Sequence, residues 1–155
     1  MTSIALLWEP GDLAGDFEIK DGDLVADDGL RSCVILSLFT DRQAEPGDVL
    51  PDGVNDRRGW WADGAALVPA DKFGSRLWLL ARSKQTPDVL SRATEYSKEA
   101  LQWLLDDRIA EAIEVTAEFL PQRRGYLLGV IIARPGTDDV TYRFNQLWDS
   151  EGARA

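Results

Sequence analysis

Residues 86–104, TPDVLSRATEYSKEALQWL, decide the fold that we predict for this chain. Proline at the first helical position loses no needed hydrogen bond, so Thr86-Pro87 predicts the start of a helix. The apolar residues that follow recur at spacings of three and four, which is the period of one buried helical face. These residues are Val89, Leu90, Ala93, Tyr96, Ala100, Leu101, Trp103 and Leu104. A helix of this kind must bury its apolar stripe against a second layer.

The sequence after this helix has the period of β-strands. Apolar and polar residues alternate over 113–119, which is typical of a half-buried strand. The nearly continuous apolar run 126–133 predicts a central strand, and alternation resumes over 140–145. Sequential strands with short connections favour an antiparallel meander. We therefore expect the long helix to pack on a three-stranded sheet.

The N-terminal part predicts a strand, a hairpin and a second helix. Ile4–Trp8 is a short apolar run, and Asp21-Gly22 between two further runs predicts a β-hairpin at about 16–26. Asp27-Asp28-Gly29 offers a helix N-cap before residues 30–39, which are apolar nearly all round. That pattern predicts a buried helix. A buried strand remains the alternative, because periodicity does not separate the two.

Residues 40–74 show no periodicity and contain the string Arg57-Arg58-Gly59-Trp60-Trp61. A connection this long inside a compact domain is uncommon and is usually functional or disordered. Adjacent tryptophans argue against disorder, because disordered segments are poor in aromatic residues. We predict an ordered loop that packs either on its own domain or on a partner chain. Tryptophan and arginine are the usual anchors of a partner interface.

These elements predict an α+β fold in a single domain spanning 1–155. Residues 1–74 would contribute the N-terminal β-hairpin, the buried helix and the long aromatic loop. Residues 75–148 would form the core, in which the long helix packs on the C-terminal meander. Ser75 is expected to cap a short helix that ends at Leu80.

Composition excludes several function classes. The net charge of −10 repels phosphate, so we expect neither a nucleic-acid partner nor an anionic membrane surface. The chain has no histidine, which removes Ser-His-Asp and Cys-His catalysis. Cys33 lies in an apolar run, and we interpret it as a small buried hydrophobe. Met1-Thr2-Ser3-Ile4 has no basic segment before an apolar one, so we expect no secretory signal peptide.

The acidic residues do not indicate a metal site or a catalytic pair. Residues 48–56 include three aspartates but do not match a calcium-binding loop. Glu114 and Glu118 lie on the polar face of a predicted strand, where solvation is the expected role. We predict no catalytic residue, no metal and no cofactor.

Four stretches together cover nearly the whole chain: 4–8 with 15–17; 21–24 with 27–31 and 36–42; 50–53 with 56–61; and 74–80 with 100–104. They include the unusual strings Arg-Arg-Gly-Trp-Trp at 57–61 and Gly-Ser-Arg-Leu-Trp-Leu-Leu at 74–80. In these stretches the chain resembles the Mu-type phage tail protein family, whose members belong to the baseplate.

Residues 75–148 also resemble the wider family of small baseplate wedge proteins of contractile tails. That family has a helix, a Glu-Pro-Arg signature and a β-meander, and its members seed sheath assembly by sharing strands with sheath chains. In this chain the position of the signature is occupied by Asp106-Asp107-Arg108. Aspartate replaces the glutamate and the proline is absent, so the resemblance implies a role only for Asp106 and Arg108. The resemblance implies a structural wedge subunit in a hetero-oligomeric ring with other wedge, sheath and tube proteins. It would fold in the bacterial cytoplasm and end in the virion tail.

Two other functions remain open at this point. Some members of the wider family have carried a lysozyme label, so a peptidoglycan-degrading tail enzyme is one alternative. A transient assembly adaptor is the other. The partner-binding candidates are the loop and signature residues Arg57, Arg58, Trp60, Trp61, Arg76, Asp106 and Arg108. For Trp60 and Trp61 the competing interpretation is core packing, and for Arg76 it is ion pairing within its own domain.

Overall fold

The computed structural model describes residues 3–9, 14–24, 26–27, 29–51, 53, 55–67, 71–81, 83–122 and 124–147. Its larger helix, α2, spans Pro87–Asp106 and begins after the extended residue Thr86, as predicted. Most of the predicted stripe is buried, with Ala93, Leu101 and Leu104 fully inaccessible, while Leu90 and Trp103 are half-buried. Apolar residues at this period therefore form the helix face that meets the sheet.

The C-terminal sheet is the predicted antiparallel meander, in the order β7-β8-β9. β7 spans Ala112–Phe119, β8 spans Gly125–Ala133 and β9 spans Val140–Leu147. Alternate residues of β8 point into the core and are completely buried: Tyr126, Leu128, Val130 and Ile132. β8 is thus the central strand of the sheet, and α2 packs against β7 beside it.

Among the described residues, six short strands precede the first helix. They are β1 (Ser3–Ile4), β2 (Leu6–Glu9), β3 (Ala14–Phe17), β4 (Ile19–Lys20), β5 (Asp23–Leu24) and β6 (Ala26–Asp27). They pair as β1-β6, β2-β3 and β4-β5, all antiparallel. Asp21 and Gly22 connect β4 to β5 with φ of 54° and 88°, the positive values that a type I′ turn requires. The hairpin prediction is confirmed.

Residues Leu30–Phe39 form the helix α1, which excludes the alternative strand. Its N-cap is Gly29, the last residue of the predicted cap segment 27–29, and no side-chain hydrogen bond caps the helix. Burial is also less complete than predicted, because Leu36 is 45% exposed and Cys33 is half-buried. One face of α1 therefore stays open beside α2.

An aromatic stack joins the N-terminal strands to α1 and the meander. The ring of Trp8 on β2 stacks on Phe39 at 3.9 Å between centroids, and Phe39 meets Phe144 of β9 edge-on at 5.4 Å. Ser32 of α1 fastens the same region, because its Oγ accepts from Leu6 N and donates to Ile4 O. α1 thus lies between the N-terminal strands and the helix-on-sheet core.

The two ends of residues 40–74, hereafter the long loop, are held side by side. Asp41 and Ser75 form an isolated parallel bridge. Arg42 N donates to Ser75 O at 3.0 Å, and Ser75 N donates to Thr40 O at 2.9 Å. A Cβ on Gly74 would lie 2.3 Å from Thr40 O, so this approach requires glycine. The described residues of the loop include a 3₁₀-helix at Trp61–Ala65.

A second 3₁₀-helix spans Leu77–Leu80, close to the short helix predicted there. Its N-cap is Arg76 rather than Ser75. The buried Ser75 hydroxyl still accepts from Leu77 N at 3.3 Å while donating to Leu38 O. Ser75 therefore ties this short helix to the end of α1 instead of serving as its cap residue.

Candidate interaction surfaces

Arg76 lies between the long loop and α2. Its Nη1 donates to both carboxylate oxygens of Asp48, at 3.0 and 3.1 Å, and its Nε donates to Glu99 at 3.0 Å. The guanidinium also covers the ring of Tyr96 at 4.5 Å. Burial by itself would lower the pKa of Arg76, but the hydrogen bonds to Glu99 and Asp48 outweigh it and raise that pKa. Arg76 thus pairs with acids of its own domain, which leaves little of its side chain for a partner.

Two further arginine candidates, Arg57 and Arg58, hold the loop against the rest of its own domain. Arg58 pairs with Asp41 at 2.6 Å and lies 4.5 Å above the ring of the buried Trp78. Arg57 donates to the carbonyl of Glu45 at 2.6 Å rather than to an aspartate. Both arginines are exposed on their outer sides. Only the solvent-facing parts of these two side chains are available to a partner chain.

The two adjacent tryptophans are not core residues. Trp61 is 86% exposed and Trp60 is 39% exposed. Trp60 packs against Phe73 at 5.1 Å between ring centroids, and Asp63 accepts a hydrogen bond from Phe73 N. This frame holds Trp60 in place and leaves Trp61 pointing outward. The two rings lie 5.7 Å apart between centroids, so they form a small exposed aromatic patch.

Asp106 and Arg108 stand at the C-terminal end of α2. Arg108 N donates to Leu105 O and Ile109 N donates to Leu104 O, the two bonds of a Schellman motif. Arg108 has φ of 58°, a left-handed conformation that is usually occupied by glycine at this position. Asp106 accepts from Gln102 at 3.0 Å. Both candidate side chains are exposed.

A half-open groove of about 680 Å³ lies between α1, α2 and residues 71–74 of the long loop. Sequence reasoning did not single it out. Its floor includes Leu36 and Trp103, and the indole of Trp103 is fixed by a 3.1 Å hydrogen bond to Ser37 Oγ. Asp106 and Asp107 lie at its rim. The sequence indicated this groove only indirectly. Because α1 is apolar on every side, some of its apolar residues, such as Leu36, do not face the core.

A family model described as phage protein GP46 matches residues 30–139. The match begins with α1 and runs through the long loop, α2, β7 and β8. The chain belongs to this phage protein family. The resemblance to Mu-type phage tail proteins predicted from the sequence is thereby confirmed.

Two curated relatives extend the likeness over nearly the whole chain. The protein named baseplate protein gp46 of Escherichia phage Mu is 45% identical over 144 residues, covering 93% of this chain and 95% of the relative. The Mu-like prophage FluMu protein gp46 of Haemophilus influenzae is 37% identical over 147 residues, covering 94% and 98%. The sequence likeness therefore also covers most of residues 1–29, which the family model does not match.

All seven partner-binding candidates fall within the part matched by the GP46 family model. The structure brings Arg57, Arg58, Trp60 and Trp61 together on the long loop, while Arg108 lies apart, at the end of α2. Their role in binding a partner stays a prediction. Asp48 and Glu99 were not anticipated, because nothing in their spacing indicates that both meet Arg76.

The remaining acidic candidates have ordinary environments. Glu114 and Glu118 lie on the exposed face of β7, as the alternation predicts. Asp48 is paired with Arg76, and Asp52 lies outside the described residues. Within those residues, no three acids or cysteines converge as metal ligands would. Neither helix of that part of the chain has the length and hydrophobicity needed to cross a membrane.

Proposed function

We propose that this chain is a structural subunit of a phage-type baseplate. The observation that carries the proposal is its 45% identity to the Mu protein named baseplate protein gp46, with more than nine-tenths of both chains covered. An identity at this level over full length, without a large insertion or truncation, is typical of proteins that occupy the same position in an assembly. The virion tail is the corresponding location.

We further propose that the subunit works as a wedge component in a hetero-oligomeric ring and helps to start the sheath. Its neighbours would be other wedge proteins and the sheath and tube proteins. The meander supports this idea, because β7 and β9 are its outer strands and each presents one backbone edge that no other described strand covers. An uncovered edge accepts a partner strand through main-chain hydrogen bonds.

The long loop supplies a second contact in this proposal. Trp61 projects from a loop whose base is fixed by the Asp41–Ser75 bridge and by the Arg76–Asp48 ion pair. A rigidly supported tryptophan loses little conformational entropy when a neighbour covers it. Arg57 and Arg58 would flank that contact at its polar rim.

The proposed subunit is non-enzymatic and folds as one domain. A histidine-free sequence and the solvated positions of Glu114 and Glu118 support the first point. The second is supported by a continuous core that contains Val34 of α1, Leu101 of α2 and Val130 of β8.

Deleting the gene from its host element and imaging the lysate by negative stain tests the proposal. We expect heads without assembled baseplates and sheaths, and restoration of tails when the wild-type gene is supplied in trans. Intact contractile tails in the deletion strain would contradict a structural role. Peptidoglycan hydrolysis by the purified chain would favour a lytic enzyme, and absence of the chain from finished particles would favour a transient adaptor.

A further inference from the structure

The groove between α1, α2 and residues 71–74 has an apolar floor that the fold leaves uncovered. Leu36 of α1 is 45% exposed there, and Trp103 of α2 faces it half-buried. The Trp103–Ser37 hydrogen bond fixes the indole, so the floor keeps its shape without a ligand. A volume of about 680 Å³ accommodates several side chains of an inserted segment.

This floor continues into the exposed tryptophan pair of the long loop. Phe73 lines the groove and also packs against Trp60 at 5.1 Å, and Trp60 in turn contacts Trp61 at 5.7 Å. The apolar surface is therefore one strip that runs from Leu36 and Trp103 across Phe73 to Trp61. A strip of this length fits an extended or helical segment better than it fits a small molecule.

The charges at the rim are unevenly distributed along the groove. One end carries two charges of each sign, Arg42 and Lys72 with Glu99 and Asp71, and Arg42 and Glu99 face each other at 3.7 Å. The opposite end carries Asp106 and Asp107 at the C-terminus of α2. No basic side chain of the described residues forms an ion pair with either of these two.

Asp106 and Asp107 occupy an electrostatically unfavourable place. A helix C-terminus carries a partial negative charge, and the last turn of α2 contains no basic residue to offset it. Arg108 follows directly after the helix, and it forms no ion pair with either aspartate. Two carboxylates add to this charge instead of neutralising it. A cation from outside would relieve the repulsion, and the partly exposed indole of Trp103 adds a ring face that attracts such a cation.

We propose that this groove binds a segment of a neighbouring tail protein that carries Lys or Arg beside an apolar anchor. The anchor lies against Leu36 and Trp103, and the basic residues meet Asp106 and Asp107. The net charge of −10 disfavours a second copy of this chain as the occupant, and a cross-link from the groove to a peptide of this same chain would overturn the inference. The inference rests on the proposed function, since it assigns a chemistry to one partner of the subunit.

Site-specific cross-linking in assembled particles tests the inference. A photoreactive phenylalanine analogue replaces Leu36 in one variant and Gln102 in another, with Asp138 of the exposed β8–β9 turn as a control position. Tails are purified and irradiated, and the cross-linked peptides are identified by mass spectrometry. We expect both groove positions, but not the control, to capture one segment with Lys or Arg next to an apolar residue.

Charge removal provides the second test. We expect the double variant Asp106→Asn and Asp107→Asn to enter tails about tenfold less efficiently in competition with the wild-type chain. The matched double variant Asp138→Asn and Asp139→Asn removes the same charge from an exposed turn and should compete equally. The thermal midpoint of the groove variant should not fall, because the repulsion at the helix end is reduced.

The outcomes separate this inference from the proposed function. Absence of the wild-type chain from tails would overturn both. A chain that is present in tails, but whose groove positions give no cross-link or capture an acidic segment, would overturn the inference alone. Equal competition by the groove variant and the wild-type chain would overturn it as well.

Discussion

Arg76 Nη1 lies within 3.1 Å of both carboxylate oxygens of Asp48, and the two side chains are only 14% and 13% exposed. The pair joins the long loop to the segment that leads into α2. Most of the loop's other attachments are backbone hydrogen bonds or exposed contacts. The position of the loop on the domain therefore depends strongly on this one ion pair.

Replacing Arg76 with leucine should destabilise the protein by about 3 kcal/mol, because the buried carboxylate of Asp48 would lose its partner. Urea unfolding measures the change in the free energy of unfolding. The matched control is Arg92→Leu, which breaks the exposed pair between Arg92 and Asp88 on α2. That change should cost only about 0.5 kcal/mol. Equal effects of the two variants would contradict a special role for Arg76.

Replacing Gly74 with alanine should cost at least about 2 kcal/mol. The new Cβ would lie 2.3 Å from Thr40 O, and φ at this residue is +95°. Gly136→Ala is the control, because φ is also positive there but no atom lies within 4 Å of the added Cβ. Its cost should be about 1 kcal/mol. Thermal unfolding distinguishes the two, and a small effect at Gly74 would mean that the loop base is not rigid.

Replacing Arg108 with glycine should stabilise the protein by about 0.5–1 kcal/mol, because Arg108 holds a left-handed conformation at the end of α2. Replacing Arg108 with alanine retains the energetic cost of the left-handed conformation, so this variant should not be more stable than the wild-type protein. If the Arg108 side chain also contacts a partner, both variants assemble poorly although only one gains stability. Normal assembly of both variants would remove Arg108 from the partner-binding candidates.

Replacing Trp61 with serine should change the free energy of unfolding by less than about 0.5 kcal/mol, because its side chain is 86% exposed. Tail assembly should nevertheless decrease in a complementation assay. The buried Trp78 is the contrasting position, since Trp78→Ser should unfold the domain. Full complementation by the Trp61 variant would show that the loop tip does not contact a partner.

The alkaline stability of the protein should depend on Tyr126. Burial raises the pKa of its phenol, so the folded state disfavours the phenolate. In the unfolded state this phenol has a pKa of about 10. The free energy of unfolding should therefore decrease as the pH rises above about 10, by up to about 1.4 kcal/mol per pH unit. Tyr126→Phe should reduce that slope in urea titrations at pH 9–11. Identical slopes for both proteins would contradict this assignment.

The regular elements follow from the sequence because their signals are local. The stripe from Val89 to Leu104 fixes α2, and the alternation over 113–119 fixes β7. Asp21-Gly22 fixes a turn through its own backbone preference. Each of these patterns is decided by residues within a few positions of one another, and each is present in the structure.

The sequence by itself thus determined the α+β class, the meander and the membership of a phage tail family. The tertiary structure alone decided how the long loop and the groove are arranged. Asp48 and Glu99 meet Arg76 from 28 and 23 residues away, and Ser37 meets Trp103 across 66 residues. Such contacts depend on how α1, α2 and the loop pack against one another. That packing depends on the whole domain, so no pattern among neighbouring residues in the sequence predicts it.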